Sequence, residues 1–286
     1  MKPQLIHDCA SLRTLVQSLH RQGKTVGLCP TMGALHDGHL SLVRESLKRT
    51  DVTVVSIFVN PAQFAPNEDF DKYPRTLEKD LELLETVNSG ENVIAFAPSA
   101  AEMYPPNFHT YVDVEGVAKP LEGSFRPIHF RGVATVVLKL FLMTQADFAF
   151  FGQKDFQQVQ VIRQFVRDLN VPIEIVMCPI IREKDGLALS SRNRYLSPEA
   201  RQRALVLCQS LKIARGMLEN GCRDRELIRD EIRKTIEIHP SHKMDYIAIV
   251  NPDTLLEQEP ELTLPVAILL AVKIGETRLI DNMVFE

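Results

Sequence analysis

The sequence predicts an α/β fold, in which a parallel sheet with helices on both faces is followed by a smaller α+β domain. Three observations carry this. Short runs dense in Val, Ile and Phe alternate with stretches whose apolar residues recur at helical spacing. That alternation implies parallel strands joined by crossover helices. Near residue 180 it stops, and two helical stretches are then followed by three consecutive strand-like runs. The expected division is a first domain over residues 1–180 and a smaller one over residues 181–286.

Residues 25–29, 52–59, 93–97, 148–151 and 173–178 read as buried strands. Between them, Leu40, Val43 and Leu47 share one helix face, as do Leu77, Leu81 and Leu84, and Val159, Ile162, Val166 and Leu169. Past the boundary, Ser197, Pro198 and Glu199 supply an N-cap, a proline at the first helical position and an early acid. They open a long helix expected to run through Leu205, Cys208, Leu211 and Leu218. A second helix carries Leu227, Ile228, Ile232 and Ile236, and strands are expected over 243–250, 265–274 and 277–285.

Composition narrows the function classes. The 286 residues are 45% hydrophobic and 24% charged, the balance of an ordinary globular protein. A net charge of −4 argues against nucleic acid as the main partner, because phosphate neutralisation needs a basic face. Cys9, Cys29, Cys178, Cys208 and Cys222 are widely spaced and odd in number, a usage that fits a reducing cytoplasm. Neither a signal peptide nor a membrane anchor is expected. The longest apolar candidate, residues 262–274, is broken by Thr263, Pro265 and Lys273.

In an open parallel sheet, ligands bind beyond the carboxyl ends of the strands, so the strand ends are where chemistry is sought. The run Pro30-Thr31-Met32-Gly33-Ala34-Leu35-His36-Asp37-Gly38-His39 leads from a strand into a helix. A helix N-terminus offers unpaired N–H groups and partial positive charge to a phosphate, and His36 and His39 would add donors. The plainer alternative is that Asp37 caps the helix and the histidines lie on the surface. After the next strand, Asn60 and Gln63 are polar groups at a strand end, which turn chemistry alone also explains. Further on, Gly152-Gln153-Lys154-Asp155 brings an ammonium to the mouth of the sheet, while Asp155 and Gln158 stand at capping-box spacing. Finally, Ser190-Ser191-Arg192 sits in a polar segment that could close over polyphosphate or serve as a solvated linker.

Taken together, PTMGALHDGHLSLV, FVNPAQF, YPRT, HFRGV, FGQKDFQQ and DGLALSSRNRYL occur in the order and spacing of the pantothenate synthetase family, which this chain resembles from about residue 20 onward. The resemblance implies a Rossmann-like N-terminal domain, a smaller C-terminal domain that helps cover the site, and a homodimer. It implies an ATP-dependent ligase that condenses (R)-pantoate with β-alanine through a pantoyl adenylate, with magnesium accompanying ATP. Residues Met32, Gly33, Ala34, Leu35, His36, Asp37, Gly38 and His39 would contact ATP, with His39 catalytic and His36 its companion. Gly152, Gln153, Lys154, Asp155, Ile181, Leu189, Ser190, Ser191 and Arg192 would also bind ATP, Lys154 and Arg192 with catalytic roles. Gln63 and Gln158 would hold pantoate, with Gln63 also toward β-alanine. His129 would line the site and Asp80 would organise magnesium. The chain departs from the family in carrying Gln153 where Glu is usual and Leu189 where Met is frequent.

Overall fold

The computed structural model describes residues 1–66, 68–90 and 92–286. They fold into two compact units, one formed by Met1–Gly152 and Val161–Pro179, the other by Gln153–Gln160 and Ile180–Glu286. Gln153–Gln160 group with the second unit. Their hydrogen bonds to the last strand of the chain account for that.

In the first unit the order is β1 (Gln4–Ile6), α1 (Cys9–Arg21), β2 (Val26–Thr31), α2 (Asp37–Arg49), β3 (Val52–Ile57), α3 (Leu77–Glu85), β4 (Val93–Phe96), α4 (Ala100–Met103), α5 (Glu122–Phe125), α6 (His129–Thr144), β5 (Phe148–Gly152) and β6 (Glu174–Cys178). Helix α7 (Phe156–Asp168) precedes β6 and begins in the second unit. The six strands form one sheet in the order β1-β4-β3-β2-β5-β6, with every neighbouring pair parallel. β2, β3 and β4 run outward in one direction and β5 and β6 in the other, with β1 added beyond β4. The crevice for a ligand in such a sheet lies at that reversal, beyond the carboxyl ends of β2 and β5.

The five predicted strands stand at nearly the expected limits. β1, α1 and α6 are additions to the expected elements. Asp8 caps α1, its side chain accepting from the Ser11 N–H at 2.8 Å, and Leu12, Val16 and Leu19 bury its inner face. α6 is buried on nearly every side, so its apolar residues show no one-sided period to read. It lies against the loop after β3. A Cβ placed on Gly132 would fall 2.2 Å from the Ala62 carbonyl oxygen and 2.6 Å from the Gln63 Cα, so only glycine permits this approach.

In the second unit α8 (Pro198–Ala204), α9 (Val206–Glu219) and α10 (Arg225–Ile236) precede β7 (His242–Val250), β8 (Val266–Ile274) and β9 (Thr277–Phe285). The single long helix expected after Ser197 is two helices. At Leu205 the chain tightens, its N–H reaching back to the Gln202 carbonyl at 3.3 Å, before α9 begins. Ser197 caps α8 as expected, accepting from the Ala200 N–H at 3.2 Å. Leu207, Leu211 and Leu218 of α9 and Ile228, Ile232 and Ile236 of α10 share one core with Ile268, Leu270 and Val272 of β8. Leu227, on the same helix, faces solvent. The strands form an antiparallel sheet in the order β7-β8-β9.

Because the Gly132 contact is with rigid backbone, Gly132→Ala is expected to lower stability by about 1–3 kcal/mol, the usual scale of overpacking. Denaturant unfolding of the two forms measures this. An unchanged midpoint would mean that the loop yields freely and that glycine is not required there.

Candidate active site

β2 ends in a turn that its own sequence would not hold. Gly33 (φ 79°) and Ala34 (φ 50°) both occupy the left-handed region, and the second is costly for a residue with a Cβ. The turn is fixed from outside by Asp80 on α3, which is 1% exposed. Its Oδ2 accepts from the Ala34 N–H at 3.0 Å, and its Oδ1 from the Leu35 N–H at 2.8 Å and the Thr76 hydroxyl at 3.2 Å. A Cβ on Gly33 would lie 3.0 Å from Asp80 Oδ2, so the glycine also makes room for the carboxylate.

The turn delivers His36 to the start of α2. His36, not Asp37, is the N-cap: its Nδ1 accepts from the Gly38 N–H at 3.1 Å, while Asp37 is the first helical residue and is exposed. That bond makes Nδ1 an acceptor, which assigns the ring proton to Nε2 and leaves His36 a neutral N–H donor. His39 stands one turn on, half-buried, its ring centroid 4.0 Å from that of His36. The reading of these histidines as simple surface residues is thus overturned.

The loop after β3 is held as firmly. Asn60 is 1% exposed, and its Nδ2 donates to the Gln63 Oε1 and to the Gly132 carbonyl, each at 3.1 Å. Its Oδ1 accepts from the Tyr104 hydroxyl at 2.7 Å. Burial pushes the Tyr104 phenol well above its usual pKa, the hydrogen bond to Asn60 opposing only in part, so it remains a donor. The Gln63 amide nitrogen lies 3.0 Å from Met32 Sδ, which ties this loop to the turn after β2. His129 sits behind Gln63 rather than in the open. Its Nδ1 donates to the Gln63 carbonyl at 3.1 Å, and Arg126, which can only donate, approaches its Nε2 at 3.3 Å. Arg126 pairs with Glu68 at 2.6 Å. Burial raises the Glu68 carboxyl pKa, but the hydrogen bonds and charge of Arg126 outweigh it and hold the group below its usual range.

In the second unit, Gln153, Lys154 and Asp155 form one turn of 3-10 helix directly before α7. Lys154 Nζ lies 3.5 Å from Asp155 Oδ1. Gln158 follows on α7, half-buried. Residues 181–189 are a hairpin rather than a slack linker. The Leu189 N–H donates to the Ile181 carbonyl at 2.9 Å, and the Glu183 N–H to that of Leu187 at 2.8 Å. Glu183 receives both Arg201, at 2.7 Å, and the Asn193 amide, at 2.9 Å. The hairpin leads into Ser190, which caps a short 3-10 helix (Ser191–Tyr195) by accepting from the Arg192 N–H at 3.3 Å.

Both oxygens of Asp80, the residue that the resemblance links to magnesium, accept backbone N–H groups and so shape the turn after β2. Among the described residues no group of three or more His, Cys, Asp or Glu is arranged to hold a metal ion.

The family model for pantoate–β-alanine ligase matches residues 4–284. The chain belongs to the pantoate–β-alanine ligase family. Among similar proteins, the pantothenate synthetase of Acetivibrio thermocellus is 50% identical over 283 residues, 99% of each chain. That of Geobacter sulfurreducens is 52% identical and covers 98% of each. The pantothenate synthetase structure from Thermus thermophilus superposes with a TM-score of 0.92 at 43% identity, covering 98% of both chains. A pantoate–β-alanine ligase from Francisella tularensis, complexed with β-γ ATP and β-alanine, gives a TM-score of 0.75 at 34% identity, covering 99% of this chain and 97% of that one. The expected family and fold are both found. Asn60, Tyr104 and Arg126 complete the ligase scaffold of the first unit, and only Asn60 carried a sequence signal, as a polar residue at a strand end.

Asp80→Asn keeps the size of the side chain but turns an N–H toward a backbone N–H. The loss expected is about 1.5–3 kcal/mol, the scale of a hydrogen bond to a charged group, and ATP use should fall with it. Chemical denaturation and ATP-dependent turnover measure the two effects. A variant as stable and as active as the parent would remove Asp80 from its place as anchor of the turn.

Proposed function

We propose that the chain, an ATP-dependent ligase of pantoate and β-alanine, works through a pantoyl adenylate. The observation that carries this is the start of α2, reached directly from the carboxyl end of β2, where helix N–H groups and two adjacent imidazoles lie together. In the first step a pantoate carboxylate oxygen attacks the α-phosphorus of ATP. A P–O bond forms, the bond to the β-phosphate oxygen breaks, and pyrophosphate leaves. The carboxylate is already ionised at neutral pH, so no general base is needed. What the step demands is alignment of two anions and stabilisation of charge on phosphate oxygens.

The neutral His36 Nε2–H, His39 and the N–H groups at the start of α2 are suited to that charge. Residues Met32 to Asp37 form the nucleotide-facing turn in this reading, with Gly38 beside them. Lys154 and Arg192 supply full positive charge to the polyphosphate, helped by Gly152, Gln153, Asp155, Ser190 and Ser191. Ile181 and Leu189 meet the nucleotide through the hairpin that they close. Gln63 and Gln158 orient pantoate without adding a like charge. Gln63 keeps hydrogen-bonding capacity for this because a thioether is only a weak acceptor.

In the second step the neutral amine of β-alanine attacks the acyl carbon. A C–N bond forms, the acyl–phosphate oxygen bond breaks, AMP leaves, and the nitrogen gives up a proton. Magnesium enters this scheme as the counter-ion of ATP, and no protein carboxylate is assigned to it. The family resemblance and the unbridged cysteines support a cytoplasmic homodimer. Among the described residues no helix is long and apolar enough to cross a membrane.

Pantoate without β-alanine is expected to support exchange of labelled pyrophosphate into ATP. Absence of pantoate-dependent exchange in protein that still forms the amide would rule out the adenylate route. His39→Ala should slow adenylation by about 10²–10³-fold, the cost of one oxyanion-type donor, with little change in melting temperature. Single-turnover kinetics and a thermal melt together check it. Normal turnover, or loss through unfolding alone, would take the catalytic role from His39.

A further inference from the structure

β9 carries two adjacent polar residues, Asp281 and Asn282, each only 3% exposed. Neighbouring residues of a strand point to opposite faces, so the two address different partners. A buried amide is costly unless its donors and acceptor are satisfied. Asn282 uses its whole amide on a single turn. Its Nδ2 donates to the Gln153 carbonyl and to the Lys154 carbonyl, each at 2.9 Å, and its Oδ1 accepts from Gln153 Nε2 at 3.2 Å. Asp281 receives the Arg182 guanidinium through both nitrogens, at 2.7 and 2.8 Å. This pairing raises the Arg182 pKa still further. Arg182 in turn donates to the Gly186 carbonyl at 3.0 Å, inside the hairpin that leads to Ser190 and Arg192.

The carbonyls that Asn282 holds belong to the peptide planes on either side of the Lys154 Cα. Fixing two successive peptide planes fixes the direction in which the Lys154 side chain leaves the backbone. We infer that Asn282 is a positioning residue for ATP, acting through the Gln153–Lys154 backbone to aim the Lys154 ammonium. This rests on the reading of Lys154 as a polyphosphate-binding group. The Gln153 side chain completes a reciprocal amide pair with Asn282.

Kinetics of the intact enzyme with ATP varied, and with pantoate and β-alanine saturating, provide the test. Asn282→Ala is expected to raise KM for ATP by about tenfold or more, with KM for pantoate and β-alanine within about twofold of the parent. In the Asn282→Ala/Lys154→Ala double variant, kcat/KM for ATP should fall no further than in Lys154→Ala alone, because the amide acts through the lysine. Gln153→Ala removes the reciprocal bond, together with the side chain's own place beside the polyphosphate, at a half-buried turn position. It should raise KM for ATP by about threefold and keeps the inference testable if Asn282→Ala fails to fold. A Lys154→Ala enzyme with unchanged KM for ATP would overturn both the reading of Lys154 and the role of Asn282. If Lys154→Ala impairs ATP use while Asn282→Ala and Gln153→Ala do not, the positioning role alone is overturned. Additive losses in the double variant, or an equal loss for all three substrates, would likewise overturn it in favour of a general structural role.

Discussion

A carboxylate taken out of water is stable only where other donors replace the solvent it has lost, and the donors to Asp80 include two backbone N–H groups and a hydroxyl. Bonds to an ionised acceptor are roughly twice as strong as neutral ones. They are strong enough to keep Ala34 in a left-handed conformation that its Cβ disfavours. The direction of the chain leaving β2 follows from this, and with it the position of Met32 and the angle at which α2 begins. Met32 in turn touches Gln63, whose loop Asn60 pins to α6. Removing the carboxylate would therefore be felt in two strand-end loops, the one after β2 that it bonds directly and the one after β3 that leads into its own helix.

The proposed anion-binding groups of each unit differ in their kind of charge. At the start of α2 the donors are neutral: backbone N–H groups and a His36 ring whose Nδ1 is occupied as an acceptor. Such donors cost little to desolvate and need no counter-ion. In the second unit the groups are full cations on short, internally braced segments. Lys154 sits on a 3-10 turn, and Arg192 follows a serine cap. Bracing limits the conformational freedom that long basic side chains lose when they order around a ligand.

The parts of this architecture governed by local pattern were legible in the sequence. Buried strands announce themselves as Val- and Ile-rich runs, and Ser197-Pro198-Glu199 marks a helix start from its own chemistry. What escaped the sequence was decided by distant neighbours. α6 is surrounded by protein, so it shows no polar face. Asp80 reads as an exposed-type acid on an amphipathic helix, and nothing in residues 77–85 reveals that its partners lie 45 and 46 positions earlier. His36 was visible as a candidate, but its service as the helix cap was not, because Asp37 is the better cap by residue type. The dependence of Gln153 on Asn282 was invisible for the same reason, being a pairing across the chain rather than along it.

The bond between Asn282 and the Lys154 carbonyl joins residues 128 positions apart. A ribosome delivers the chain from its N-terminus, so the parallel sheet of the first unit can assemble while the partner of the Lys154 turn has yet to be made. Until β9 emerges, that turn must stand without the amide that orders it, and bringing the two ends together carries the entropy of closing a long loop. Synthesis thus finishes the ammonium-bearing segment last. A chain that has not yet grown to residue 282 lacks the contact that orders the Lys154 turn.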